Sequence, residues 1–310
     1  MTAVAHNAKS AENFAVPADS AKVSDHRGHK AWPPRAGFLQ FRVRFGDPAA
    51  NLAVVREQLA RLAPPPATLV VLPELWSGGF AYHAMARMAA ETPALLTALA
   101  AEASRYDIFL AGSLPEAPVP PAQAASSAST DSDHEGHQVS EPGARLHNTL
   151  YLVGPQGVMG RYHKQQMFAP MGEPDYFQPG RLAGPLAGPA GPVGGLVCFD
   201  LRFPELAAAQ VRQGATVLLV AAQWPKARRE HWRILLRARA IENQIFVVAC
   251  NTCGLVGDAD FAGCSAIIAP DGDILAEAAD RAAGLMAPLD FAHQSEVRRL
   301  FQTAGGAAAA

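Results

Sequence analysis

The chain has little cysteine, little charge imbalance and no long apolar run. Its 310 residues include four cysteines, Cys198, Cys250, Cys253 and Cys264, too few for a disulfide framework in a chain this long. A reducing, cytoplasmic compartment is therefore expected. Lys and Arg number 26 against 28 Asp and Glu, a net charge of −2. That balance argues against nucleic acid as a partner, since a binder usually shows a basic stripe. No apolar run reaches the roughly 18 residues that cross a bilayer, so no membrane association is expected. The N-terminus lacks the basic head and apolar stretch of a secretory signal. What the chain does hold is apolar content, 49% of its residues, enough at this length for a large buried core.

Residues 1–35 are rich in Ala, Ser, Asp, Lys and His and show no period of 2 or 3.6, so they read as a disordered tail. Residues 304–310 read the same way. A Pro-, Ser- and Asp-rich stretch over 117–143 reads as a surface insertion. His134 and His137 lie inside it without a cysteine partner, and a solvated loop is the plainer reading than a metal site. No internal repeat is visible. Residues 36–303 form the expected single domain.

Within it, strand-like and helix-like stretches alternate. Gly37 to Val43 reads as a strand; Asp47 then caps a helix with Pro48 at its first position, running to about Leu62 and stopped by Pro64, Pro65 and Pro66. Thr68 to Leu72 is a compact apolar strand. An Ala-rich helical pattern covers about Tyr82 to Arg105, with Pro93 expected to interrupt it. Apolar runs follow at Ile108–Ala111, Thr149–Val153, Gly195–Phe199, Thr216–Val220, Ile245–Ala249 and Ser265–Ala269. A strong helix spans about Arg229 to Asn243, and Ile234, Leu235, Ala238 and Ile241 recur on it at helical spacing, which reads as a core face. Short strands buried on both faces and joined by helices predict an α/β layered domain.

Three residues stand at the ends of separate segments. The apolar run Leu69–Leu72 leads into Pro73-Glu74, a carboxylate just past a buried strand, where α/β sheets bind ligands. Leu196-Val197 leads into Cys198, and Pro204-Glu205 opens a helix soon after, so Cys198 sits on a strand-to-helix turn. Such a turn projects the side chain and aims backbone N–H groups at what it attacks. Lys164 lies in a polar loop after a Gly-rich turn and, read alone, is a solvated surface lysine. Together the three supply thiol-based acyl transfer: a thiolate nucleophile favoured by a nearby ammonium, a carboxylate to move its proton, and a lysine to hold the oxyanion. Spacing alone does not show that they meet.

The chain resembles the nitrilase superfamily, the carbon–nitrogen hydrolases, from Gly37 to about Leu289. The carriers are VVLPELW around Glu74, GRYHKQQMF around Lys164 and GGLVCFDLRFPEL around Cys198. The resemblance implies a four-layer α-β-β-α sandwich, usually at least a homodimer. It implies that Glu74, Lys164 and Cys198 are catalytic, that Glu173 orients the lysine and the substrate, and that the Phe199 N–H is the backbone oxyanion donor. The segment from Gln223-Trp224-Pro225 through Ala238-Arg239-Ala240-Ile241-Glu242-Asn243-Gln244 is similar to the ω-amidase-type branch, whose substrates are terminal amides of 2-oxo acids such as 2-oxoglutaramate. The expected function is thus an amidase that hydrolyses a small-molecule linear amide through a thioester, with no metal and no organic cofactor. Departures from the family pattern are the tail, the 117–143 insertion, and Phe199 where Tyr is common.

Other readings stand beside this one. A nitrilase or N-carbamoyl amino acid hydrolase would use the same three residues on another substrate. A cysteine peptidase would pair Cys198 with His83 or His163, which otherwise shape the pocket edge. A non-catalytic binding protein would lack one of the three residues, and none is missing. Arg202 is either a carboxylate clamp in the pocket or the partner of an acid such as Glu205 or Glu242. Trp224 either walls the pocket or packs in the core or a dimer interface. Cys250 and Cys253 form a CxxC without a second ligand pair, so a strand-end pair of thiols is expected rather than zinc or redox chemistry.

Overall fold

The apolar runs become strands in two sheets that pack face to face, with helices outside both. A computed structural model describes residues 35–118, 145–181, 184–189 and 191–301. The expected tails and insertion, apart from Arg35, Ala117 and Pro118, lie outside the described residues. The first sheet holds β1 (Arg35–Gln40), β2 (Thr68–Val71), β3 (Phe109–Glu116), β4 (His147–Gly154) and β5 (Gly157–His163). The second holds β6 (Leu186–Gly188), β7 (Gly191–Val197), β8 (Val217–Ala222) and β9 (Phe246–Asn251). A hairpin, β10 (Cys253–Val256) and β11 (Ala259–Ala262), stands apart; β12 (Ala266–Ile268) and β13 (Ile274–Glu277) extend the second sheet, and β14 (Ala283–Pro288) returns to the first.

The sheet orders are β14-β1-β2-β3-β4-β5 and β13-β12-β9-β8-β7-β6. Each has three parallel strands at its centre, β1-β2-β3 and β7-β8-β9, flanked by antiparallel ones. The two halves thus repeat one pattern although their sequences show no repeat.

Side-chain alternation explains why the strands read as unbroken apolar runs. Phe38, Leu69, Val71, Leu150 and Leu152 face the second sheet and pack with Val193, Leu196 and Val220. Their neighbours Leu39, Val70, Leu72, Tyr151 and Val153 face the opposite way and join the outer helices. Those helices are α1 (Pro48–Leu62) and α2 (Met85–Tyr106), through Val55, Leu59, Leu95, Leu99 and Ala103. A single turn, α3 (Glu173–Tyr176), precedes β6. On the far side α4 (Pro204–Arg212) and α5 (Arg229–Asn243) cover the second sheet through Leu206, Ala207, Trp232, Leu236 and Ala240, and α6 (Phe291–Phe301) closes the described chain. The four-layer sandwich is the architecture expected. Gly195 on β7 shows how close the sheets come: a Cβ there would lie 2.9 Å from Leu150 Cδ2 of the facing sheet.

Local expectations held at α1, where Asp47 Oδ1 accepts a hydrogen bond from the Ala50 N–H at 3.0 Å. The helix ends at Leu62, and Ala63, with φ of +44°, turns the chain just before the prolines. Two expectations are corrected. Pro93 does not interrupt α2, which runs through it. A proline there forfeits one helical hydrogen bond, but Met85 and Met88 before it and Leu95 and Leu99 after it are buried and hold both halves in line. The second correction concerns α5. Ile234 and Ile241 are 63% and 49% exposed, so they are not a core face; the buried face is Trp232, Leu236, Arg239, Ala240 and Asn243. Hydrophobic spacing marked a stripe, and the sheet took a different one. Strands β5, β6, β10, β11, β13 and β14 do not stand out in sequence because they run to four residues or fewer or carry glycine, and helix α6 because polar and charged residues interrupt its apolar ones.

Candidate active site

The C-terminal ends of β2, β5, β7 and β8 open at one edge of the sandwich, and the candidate residues follow them directly. Glu74 stands three residues past β2, and its backbone N–H donates to Ala222 O at the end of β8 across the sheet interface, at 3.4 Å. Lys164 follows β5. Along that strand Tyr162 and Lys164 point inward while His163 points out, so Lys164 is fully buried. The solvated reading of Lys164 is thereby corrected: strand alternation, which the sequence hid, turns it inside. Cys198 follows β7 and opens a 3₁₀ turn over residues 198–202, with φ of +48°. A non-glycine residue in that region costs roughly 1–2 kcal/mol, and such strain is held by the surrounding structure. The first N–H groups of a helical turn lack partners within it, and that of Phe199 is one of them.

The side chains converge. Lys164 Nζ donates to Glu74 Oε1 at 2.9 Å and to both oxygens of Glu173 at 2.7 Å. All three groups are completely shielded from solvent. Glu173 opens α3 after Gly172, whose φ of +72° glycine adopts without strain. Its Oε2 also accepts the Phe168 N–H at 2.7 Å. Glu74 Oε2 accepts the Gln223 N–H at 2.9 Å, and the Cys198 Sγ donates weakly to the Gln223 carbonyl at 3.7 Å. Gln223 thus spans the acid and the thiol.

One ammonium and two carboxylates leave this dry site one negative charge in excess when all are ionised. Burial pushes the Glu74 carboxyl up, against the pull of Lys164. Burial also penalises the Lys164 ammonium, but Glu74 and Glu173 more than reverse that and hold its proton firmly. The Cys198 thiol is pushed well up, first by burial and then by Glu74. The resting nucleophile is therefore a thiol beside the Glu74 carboxyl rather than a free thiolate. A thiol in this state needs a base to attack, and the adjoining carboxylate is placed to serve.

Above Cys198 lies a cavity of about 600 Å³, within the usual size of a small-molecule site. Phe80, Phe168, Phe199 and Trp224 wall it, Lys164 and Cys198 lie at its base, and Arg202, Arg228 and His231 also line it. Trp224 is fixed by Asn251, whose Oδ1 accepts its N–H at 2.7 Å. Arg202 makes neither expected ion pair. Glu242 binds Arg239 at 2.8 Å instead, while Arg202 Nη2 donates to His231 Nδ1 at 3.2 Å and its guanidinium lies 4.8 Å from the Trp224 ring. His83 and His163 do not shape the pocket edge, contrary to expectation. His163 binds Glu116 at 2.9 Å on the outer side of β5, and His83 stands against Phe45. Cys250 and Cys253 are buried free thiols at the end of β9 and the start of β10. Among the described residues no cluster of His, Cys, Asp or Glu has the makings of a metal site.

Asn148 went unnoticed in the sequence, yet its Nδ2 donates to Glu74 Oε1 at 2.9 Å and to Glu173 Oε1 at 3.3 Å. The available signal was a polar side chain at the head of the apolar run 149–153. Asp200 and Arg228 were likewise unassigned.

Comparison with known proteins fits this geometry. The model of the carbon–nitrogen hydrolase family matches residues 35–299. The chain is 33% identical to a 2-oxoglutaramate amidase of Bacillus subtilis over 84% of its own length and 92% of that protein. It is 31% identical to an omega-amidase of Escherichia coli K12, over 85% and 92% respectively. Among solved structures, a CN-hydrolase superfamily protein of Xanthomonas campestris with an arsenic adduct in its active site superposes with a TM-score of 0.73 at 27% identity, covering 86% of this chain and 94% of that one. A variant of the amidase of Nesterenkonia sp. AN1, with the acetamide moiety of fluoroacetamide added covalently at its active site cysteine, gives 0.70 at 28% identity, covering 87% and 97%.

Proposed function

We propose that this chain, which belongs to the carbon–nitrogen hydrolase family, hydrolyses the ω-amide of a small 2-oxo acid to the carboxylic acid and ammonia, with Glu74, Lys164 and Cys198 as its catalytic groups. The observation that carries the reading is the Lys164 ammonium clamped between two buried carboxylates beneath a cavity that reaches Cys198. The relatives' names supply the substrate class.

In the first half-reaction Glu74 takes the thiol proton as Sγ bonds to the amide carbon. Lys164 Nζ and the Phe199 N–H receive the negative charge on the carbonyl oxygen. The carbon–nitrogen bond then breaks, Glu74 returns the proton to the nitrogen, and ammonia leaves a thioester on Cys198. In the second half Glu74 takes a proton from water, the hydroxide adds to the thioester carbon, and the carbon–sulfur bond breaks. The proton returns to sulfur and the acid departs. Glu173 holds Lys164 in place, while Arg202 and Trp224 orient the acyl group. This chemistry requires neither metal nor organic cofactor.

The protein acts as a homodimer in the cytoplasm in this reading. Support comes from the exposed apolar residues Ile234 and Ile241 on α5 with Ile274 on β13 beside them, and from four thiols that are all free and buried. No helix among the described residues is long and apolar enough to cross a membrane.

The test is ammonia release by the wild type and by Cys198→Ala across 2-oxoglutaramate, other ω-amides, nitriles and carbamoyl amino acids. Preference for 2-oxoglutaramate, abolished in Cys198→Ala, is expected. Preference for nitriles, or carbon dioxide released with ammonia from carbamoyl compounds, replaces the substrate assignment. Full turnover by Cys198→Ala would falsify the mechanism.

A further inference from the structure

The cavity is basic and its lining holds no carboxylate. Lys164 at the base is neutralised by Glu74 and Glu173. Arg202 and Arg228 share the rest of the lining and make no ion pair among the described residues, whereas the neighbouring Lys226 turns away to Asp260 at 3.4 Å and Asp280 at 3.7 Å. Burial weakens the hold of Arg202 on its proton, and the charge of Arg228 adds to that. Two like charges at one opening repel, and a protein keeps such a pair where an anion completes it.

Trp224 touches the guanidinium of one arginine and the backbone of the other. Its ring lies under that of Arg202, whose Nη2 is also spent on His231 Nδ1. Its Nε1 donates to the Arg228 carbonyl at 2.9 Å, and the Arg228 N–H donates to Pro225 O at 3.0 Å. The Trp224 carbonyl is bound in turn by the Ala262 N–H at 3.0 Å. Arg228 is thus carried on a pinned turn, with a side chain left free to meet a ligand. The same cavity is walled by Phe168, Phe199 and Trp224, which suit a short hydrocarbon spacer and offer it no charge.

We infer that Arg228 is a specificity-determining residue which, with Arg202, receives a carboxylate at the far end of the acyl chain, so that the site selects anionic amides over neutral ones of the same length. The inference rests on the amidase reading and deepens it. Arg228 acts on binding and takes no part in bond making. A carboxylate drawn to this pair leaves the amide end of a short chain reaching toward Cys198 and Lys164.

The experiment compares glutaramate with pentanamide, in which a methyl group replaces the carboxylate, for wild type, Arg228→Gln and Arg228→Lys. Wild type is expected to favour glutaramate by about 100-fold in kcat/KM. Arg228→Gln cuts that preference by about 10-fold, through KM for glutaramate with kcat little changed, and Arg228→Lys restores part of it. Added salt raises KM for glutaramate and not for pentanamide. An unchanged preference in Arg228→Gln, or equal kcat/KM for the two amides in the wild type, overturns the inference while Cys198-dependent turnover leaves the amidase reading standing. If wild type releases ammonia from no amide at all, both fall.

Discussion

Asp200 Oδ1 lies 2.8 Å from the backbone nitrogen of Gln166 and accepts its hydrogen bond, which ties the turn beginning at Cys198 to the loop that follows Lys164. The same oxygen accepts the Gln165 N–H at 3.2 Å, while Oδ2 accepts the Val197 N–H at 3.1 Å and the Tyr162 hydroxyl at 3.0 Å. One carboxylate therefore joins the two sheets at the point where their candidate catalytic residues emerge.

Asp200→Ala leaves those donors without an acceptor, at about 1–3 kcal/mol for each one that stays buried. The variant is expected to unfold at a lower temperature and to lose about 10- to 100-fold in kcat, because Lys164 and Cys198 drift relative to one another. KM changes little, since Asp200 does not line the cavity. Asp200→Asn, which keeps one acceptor oxygen, falls between. Calorimetry and steady-state kinetics measure both effects; an Ala variant with wild-type kcat would remove Asp200 from the argument.

Glu74→Gln removes the charge that, after burial, most raises the Cys198 thiol. In the variant the thiol ionises at lower pH than in the wild type. The rate of alkylation by iodoacetamide against pH reads this directly, as a midpoint shifted toward acid. Turnover falls about 10²- to 10⁴-fold, the usual cost of losing a general acid–base group. A midpoint that stays put or rises contradicts the placement of that charge beside the sulfur.

Acid stability should depend on Glu116. Burial alone would raise its carboxyl, but hydrogen bonds from His163 and Thr149 bring it down to about 2 from an ordinary 4.5. A carboxyl lower in the folded state stabilises the fold above its unfolded value and loses that contribution as pH falls from about 4.5 to 2. Asp200 works the other way. Burial raises it from 3.8 to about 6, so it favours the fold increasingly as pH drops through that window. Wild type should therefore hold its melting temperature down to about pH 4.5 and lose it steeply below. Glu116→Gln should start lower and show a shallower loss, which melting curves from pH 7 to 2.5 test.

Ile234→Glu and Ile241→Glu place charge on the exposed face of α5. The proposed dimer is expected to give way to monomer in sedimentation velocity, with the far-ultraviolet circular dichroism unchanged. Dimers that persist in both variants put the interface elsewhere.

The sequence by itself determined the strands, since residues such as Leu69–Leu72 and Val217–Ala222 are apolar on both faces and can only be buried in a sheet covered on both sides. It determined the cap and first turn of α1 from Asp47-Pro48, and the turn that carries Cys198, because these signals are local. It pointed to the wrong face of α5, because a helix with apolar residues on two stripes does not say which one a sheet will cover. Only the tertiary structure decided that Lys164 is dry, that His163 beside it points away, and that Asn148, Gln223 and Asp200 bind the site together. Each of those facts depends on which strands lie next to one another and which way their side chains alternate. The partners are 74 residues apart for Asn148 and Glu74 and 149 for Gln223 and Glu74, a separation at which local chemistry carries no information and only the packing of two sheets sets the distance.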